Sequence, residues 1–184
     1  MRWPLLLAGL FVLVVFQTST APAFPIFGVG PNLLLVVLCC WAIVRDPREV
    51  LVLTPLAGIG MGLLAYQGMA VSVAALTPIG LVALWWSGRS RSSGRDLHLR
   101  AEPTAWVWEW LVTIGVIAIC SALHFIAHAI AVELTTTSVN WIDAAGGVLL
   151  GAVLGNMVVG AVVYWIVRLL TRRHVLEPVG PAEY

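Results

Sequence analysis

Residues 105–132 read AWVWEWLVTIGVIAICSALHFIAHAIAV, and this one stretch decides the fold class. It holds a single carboxylate, Glu109, and no arginine. About 20 residues of helix cross a hydrocarbon layer roughly 30 Å thick, so the run is long enough to span one. Inside such a layer no water meets the backbone amides, and each must bond within its own segment or within a closed barrel. Barrel strands alternate polar and apolar residues over about ten positions. This run does not alternate, and it predicts a transmembrane helix.

Five more runs of the same kind flank it. Downstream, 147–171 forms a sixth span that ends in Arg168, Arg172 and Arg173. Upstream, the spans are 3–20, 27–44, 49–66 and 70–87, with Gly28, Gly30 and Pro31 at the entrance of the second and Tyr66-Gln67-Gly68 as the hairpin between the third and fourth. The first run follows Arg2 and leads to Ala21-Pro22-Ala23, which has the outline of a secretory signal; a retained first span is the reading adopted. Residues 88–103, with Arg89, Arg91, Arg95 and Arg100, form a flexible basic loop. The expected architecture is one all-α domain, a bundle of six transmembrane helices over residues 1–184.

Composition agrees: 60% of the 184 residues are hydrophobic and 10% charged, which leaves no room for a water-facing enzyme module. Net charge is only +1, so nucleic acid is not an expected partner. All ten basic residues are arginine. With six crossings, every one falls on the side that holds both termini, and by the positive-inside rule that side is cytoplasmic. Four basic clusters would share a side by chance roughly once in eight trials. Most tryptophans, among them Trp41, Trp85, Trp86, Trp106 and Trp165, lie near span ends, where an indole buries its ring and keeps its N–H wet. Cys39, Cys40 and Cys120 sit inside apolar runs and read as small hydrophobes.

The fifth span carries the most polar stripe. Glu109, Thr113, Cys120, His124 and His128 fall within about 100° of one helix face. Cys120, His124 and His128 have the spacing of three soft metal ligands. One helix cannot complete a tetrahedral set, however, and no other span offers a second histidine or a central acid, so neither metal nor cofactor is assigned. The competing readings are neutral imidazoles bonded across helices and a proton or substrate relay. Glu109 is expected to pair with an arginine of the preceding loop. Gly58 and Gly62 in the third span, and Gly147, Gly151 and Gly155 in the sixth, form small-residue ridges for close helix packing or for a partner's helix. Asn156, beside the second ridge, needs a hydrogen-bond partner or a small ligand. The chain has no Walker lysine, nucleophile elbow, Cys-x-x-Cys or paired carboxylate at membrane depth, and no enzyme is expected.

The order of features resembles the rod shape-determining MreD family. Pro31-Asn32-Leu33-Leu34-Leu35-Val36 is similar to that family's Pro-x-Leu-Leu-Leu segment. Arg48-Glu49 followed by Pro55-Leu56-Ala57-Gly58-Ile59-Gly60 resembles its loop and Gly-rich third span, and Gly68 opens a fourth span as a family glycine does. Leu154-Gly155-Asn156-Met157-Val158 ahead of Arg168 resembles its Leu-Leu-Asn signature. Together these cover about two-thirds of the chain. Many members carry an acid shortly after the third-span glycines; here Gly62 stands at the best-matching position. The resemblance implies a non-catalytic scaffold of bacterial cell-wall elongation in the cytoplasmic membrane. Its implied partner is MreC, with RodA, a class B penicillin-binding protein, MreB and membrane lipid around it. Such proteins also resemble the substrate-binding subunits of energy-coupling-factor vitamin transporters, which supplies the alternative function.

Overall fold

A helix apolar on every side is stable when something apolar covers it on every side, and LLLVVLCCWAIV is such a helix. In the computed structural model, which describes residues 2–19, 23–44, 47–65, 68–92, 105–135 and 144–172, it is α2 (Leu33–Val44), the centre of the bundle. Leu34, Leu35, Val36, Leu38, Cys39, Cys40 and Ala42 are all buried. Around it stand α1 (Arg2–Ser19), α3 (Pro47–Leu64), α4 (Met69–Ser92), α5 (Ala105–Thr135) and α6 (Leu150–Arg172). The architecture is all-α. α3 to α6 are each long and apolar enough to cross a membrane, while α1 and α2 are shorter apolar helices. Large apolar side chains such as Leu5, Phe11 and Leu134 face outward and Thr54, Ser72, Thr113, Ser121 and Asn156 face inward. That inverts the usual distribution in water and suits lipid.

Small residues set the closest approach. A Cβ at Gly58 would lie 2.7 Å from Val73 Cα, and one at Gly62 would lie 2.5 Å from Met69 Cα. α3 and α4 are therefore antiparallel and nearly in backbone contact. Gly160 of α6 gives the same room to Ile117 of α5. Trp41 donates its Nε1–H to Glu49 across the α2–α3 junction at 2.7 Å. Glu109 at the start of α5 meets Arg168 near the end of α6 at 3.6 Å, so the last span supplies a partner for it; the arginines of the preceding loop lie outside the described residues.

Three boundaries differ from expectation. The second span was expected from residue 27, yet α2 begins only at Leu33, because Pro31 has no amide to give and disfavours helix in the residue before it. Ile26–Val29 instead forms a tight turn closed by two backbone bonds of 2.9 and 3.2 Å, with positive φ at Phe27 (53°) and Gly28 (80°). Two central residues at positive φ are the pattern of a type I′ turn. α4 runs on to Ser92, so Arg89 and Arg91 ride on its last turns and not on a loop; Arg95 and Arg100 lie outside the described residues. A π-helical turn, Ala144–Leu149, precedes α6.

Candidate functional site

The start of α2 is the polar centre of the bundle. At twelve residues α2 is about 18 Å long, too short for the hydrocarbon layer, so its approach is made by non-helical backbone. Such backbone is tolerated at membrane depth only where protein or a water-filled cavity takes up its polar groups. Here protein does so. Asn32 is the N-cap: its Oδ1 accepts the N–H of Leu35 at 3.0 Å, and its carbonyl accepts the N–H of Val36 at 3.1 Å. The first helical amide, Leu33 N–H, donates to Gln17 Oε1 of α1 at 2.7 Å, while Gln17 Nε2 donates to the Pro31 carbonyl at 3.2 Å.

Three further helices complete this knot. Asn156 of α6 accepts the Asn32 backbone N–H on Oδ1 at 2.7 Å, and its Nδ2 donates to Ser121 Oγ of α5 at 3.0 Å. His124 of α5 lies 2.8 Å from the Ala75 carbonyl through Nδ1, and 3.2 Å from Asn32 Nδ2 through Nε2. A carbonyl only accepts, so the proton is on Nδ1; Asn32 Nδ2 only donates, so Nε2 is the bare nitrogen. The neutral imidazole satisfies both contacts. The Ala75 carbonyl lies three residues before Pro78, whose missing amide opens the α4 ladder one residue earlier.

The sequence-derived candidates are divided by this geometry. His124 and Asn156 join the knot. His128 stacks on His124 with ring centroids 6.3 Å apart. Cys120 is a buried free thiol of the apolar core, and among the described residues no three His, Cys, Asp or Glu side chains are placed to hold a metal. Gly58 and Gly62 serve α3–α4 packing. Gly151 and Gly155 receive backbone and not a helix: a Cβ at Gly151 would lie 2.8 Å from Phe27 O, and one at Gly155 3.5 Å from Ile26 O. A Cβ at Gly147 meets nothing within 4 Å among the described residues. Sequence reasoning missed Gln17, Asn32 as a cap, Ser121 and Gly160. The breaker string Gly-Val-Gly-Pro-Asn at 28–32 was the available signal for the cap.

The opposite, arginine-bearing end holds an aromatic corner. Arg168 donates to Tyr164 Oη at 2.6 Å and lies over the Tyr164 and Trp165 rings at 5.7 and 5.9 Å, within cation–π reach. Trp106 packs on Trp165 at 5.3 Å. Two grooves open on the bundle's flank. One lies between α1 and α3, about 230 Å³, and the other between α3 and α4, about 210 Å³; both are lined mainly by apolar residues. The knot can position helices, but it offers no free general base, because both His124 nitrogens are engaged. No family model, no curated protein and no solved structure matches this chain.

Proposed function

We propose that the chain is a non-catalytic membrane scaffold of the MreD type. It sits in the bacterial cytoplasmic membrane with both termini inside, and it binds the single span of MreC laterally to hold the elongation machinery of RodA, a class B penicillin-binding protein and MreB in place. The observation that carries this reading is the knot: Asn32, Ser121, His124 and Asn156 engage one another, and Gln17 holds the backbone of Pro31 and Leu33 on either side of Asn32. A carrier subunit would turn such groups toward a ligand. With the interior engaged, the flank is left for contact. The α1–α3 groove, where Leu7 and Phe11 face Leu56, Gly60 and Leu63, is the favoured surface. Gly58 and Gly151 are committed to packing within the chain and are set aside as partner contacts. The arginine-rich side supports the cytoplasmic termini.

Co-purification with the MreC of the same organism tests the reading. A stable complex that is weakened by Leu63→Trp, with the melting temperature of the isolated chain unchanged, is the expected result. No complex under any membrane-mimetic condition, together with a clear thermal stabilisation by a vitamin, would replace the scaffold with the carrier. A ligand that binds only the folded chain adds about 4 kcal/mol at a thousandfold its Kd.

A further inference from the structure

The Asn32 side chain serves two partners at once. Its Oδ1 accepts the Leu35 N–H at 3.0 Å and so caps α2, while its Nδ2 donates to Nε2 of His124 at 3.2 Å. The second bond exists only while that nitrogen is bare. On the other side of the ring Nδ1 already donates to the Ala75 carbonyl at 2.8 Å, so a second proton on the imidazole goes to Nε2. An imidazolium has two donors and no acceptor. Asn32 Nδ2 and a protonated Nε2 would then be two donors 3.2 Å apart, and the shortest way to give Nε2–H an oxygen is to turn the Asn32 amide over. That oxygen is the cap.

The surroundings leave this charge to the two imidazoles. His128 lies one turn further toward Thr135, half-buried and stacked on His124 at 6.3 Å, and its ring makes no hydrogen bond among the described residues. It is the exposed edge of the pair. Two cations at that separation repel, so the pair takes one proton at a time. α4 has no titratable residue from Met69 to Trp86 and α6 has none from Leu150 to Val163. α2 brings only the Cys39 and Cys40 thiols, which acid leaves neutral like the Cys120 thiol one turn back on α5. Glu133, nine residues beyond His124, falls on the opposite face of α5.

We propose that Asn32 and His124 form an acid-operated release of the α2 cap: a proton taken up at His124 Nε2 turns the Asn32 amide over, and its Oδ1 leaves the Leu35 N–H for the imidazolium. The first turn of α2 is then freed. The proposal rests on the knot and not on the scaffold reading. The test follows the Leu35 amide and the Asn32 side-chain amide by NMR of the full 15N-labelled chain in lipid nanodiscs, from about pH 8 to about pH 5, with exchange rates corrected for the intrinsic effect of pH. Leu35 is expected to lose protection about fivefold, the usual worth of a cap, and the Asn32 signals to move with the same midpoint. His124→Gln, which keeps a donor and an acceptor but takes up no proton, should hold Leu35 protected throughout; His128→Gln should leave the response in place. If His124→Gln does not fold, the parent and His128→Gln decide the matter. Unchanged Leu35 protection in the parent, a response kept in folded His124→Gln, or one lost in His128→Gln overturns the proposal. So does a loss of protection that is uniform along all the helices.

Discussion

Replacing Asn156 by Leu keeps the volume of a buried side chain and removes both of its hydrogen bonds. Asn156 is 3% exposed, accepts the Asn32 N–H at 2.7 Å and donates to Ser121 Oγ at 3.0 Å. The Asn32 N–H then has no acceptor at the start of α2, and a buried donor left unmade costs about 1–3 kcal/mol. The Ser121 bond, between two helices in lipid, adds about 0.6 kcal/mol. The sum is about 2.6 kcal/mol, which lowers the melting temperature of a chain this size by about 5–10 °C. The assay is reversible unfolding in mixed micelles, run on Asn156→Leu, Ser121→Ala and the double variant. The two single changes should couple by about 0.6 kcal/mol. An Asn156→Leu variant as stable as the parent, or zero coupling to Ser121, would refute the knot.

Further changes probe other parts of the fold. His124→Ala loses two bonds and His128→Ala only a ring contact; the same unfolding assay should find the first about 1–2 kcal/mol worse. Gly62→Leu forces apart the α3 and α4 backbones and should cost at least about 1–3 kcal/mol. Gly147→Ala, with nothing within 4 Å among the described residues, should be neutral or stabilising by up to about 1 kcal/mol. Glu109 and Arg168, at 3.6 Å with side chains 36% and 15% exposed, should couple by less than about 1 kcal/mol in a double-variant cycle.

Much of this arrangement was written in hydropathy. The existence of all six helices, the inward Asn156 and the cross-helix bonding of His124 follow from the cost of bare polar groups in lipid. The start of α2 did not, because a window that averages apolar residues counts Phe27 and Val29 as span while Gly28, Gly30 and Pro31 break the helix beneath them. The small-residue ridge of α6 was legible as a place of close approach, but spacing alone could not say that the backbone of Ile26 and Phe27 would occupy it. Gln17 was hidden for a related reason: a lone glutamine near a helix end is ordinary, and its partners, Pro31 and Leu33, are set by the turn between α1 and α2. Arg89 and Arg91 read as loop because Ser-Gly-Arg weakens a helix, yet α4 carries them to Ser92.

The polar groups at the start of α2 are bound to one another, and the 15N spectrum of His124 in the full chain in lipid reads that bonding at its hub. A neutral ring protonated on Nδ1, with Nε2 accepting from the Asn32 amide, is the predicted result. A ring protonated on Nε2, or one whose signal shows exchange with bulk water, would contradict it.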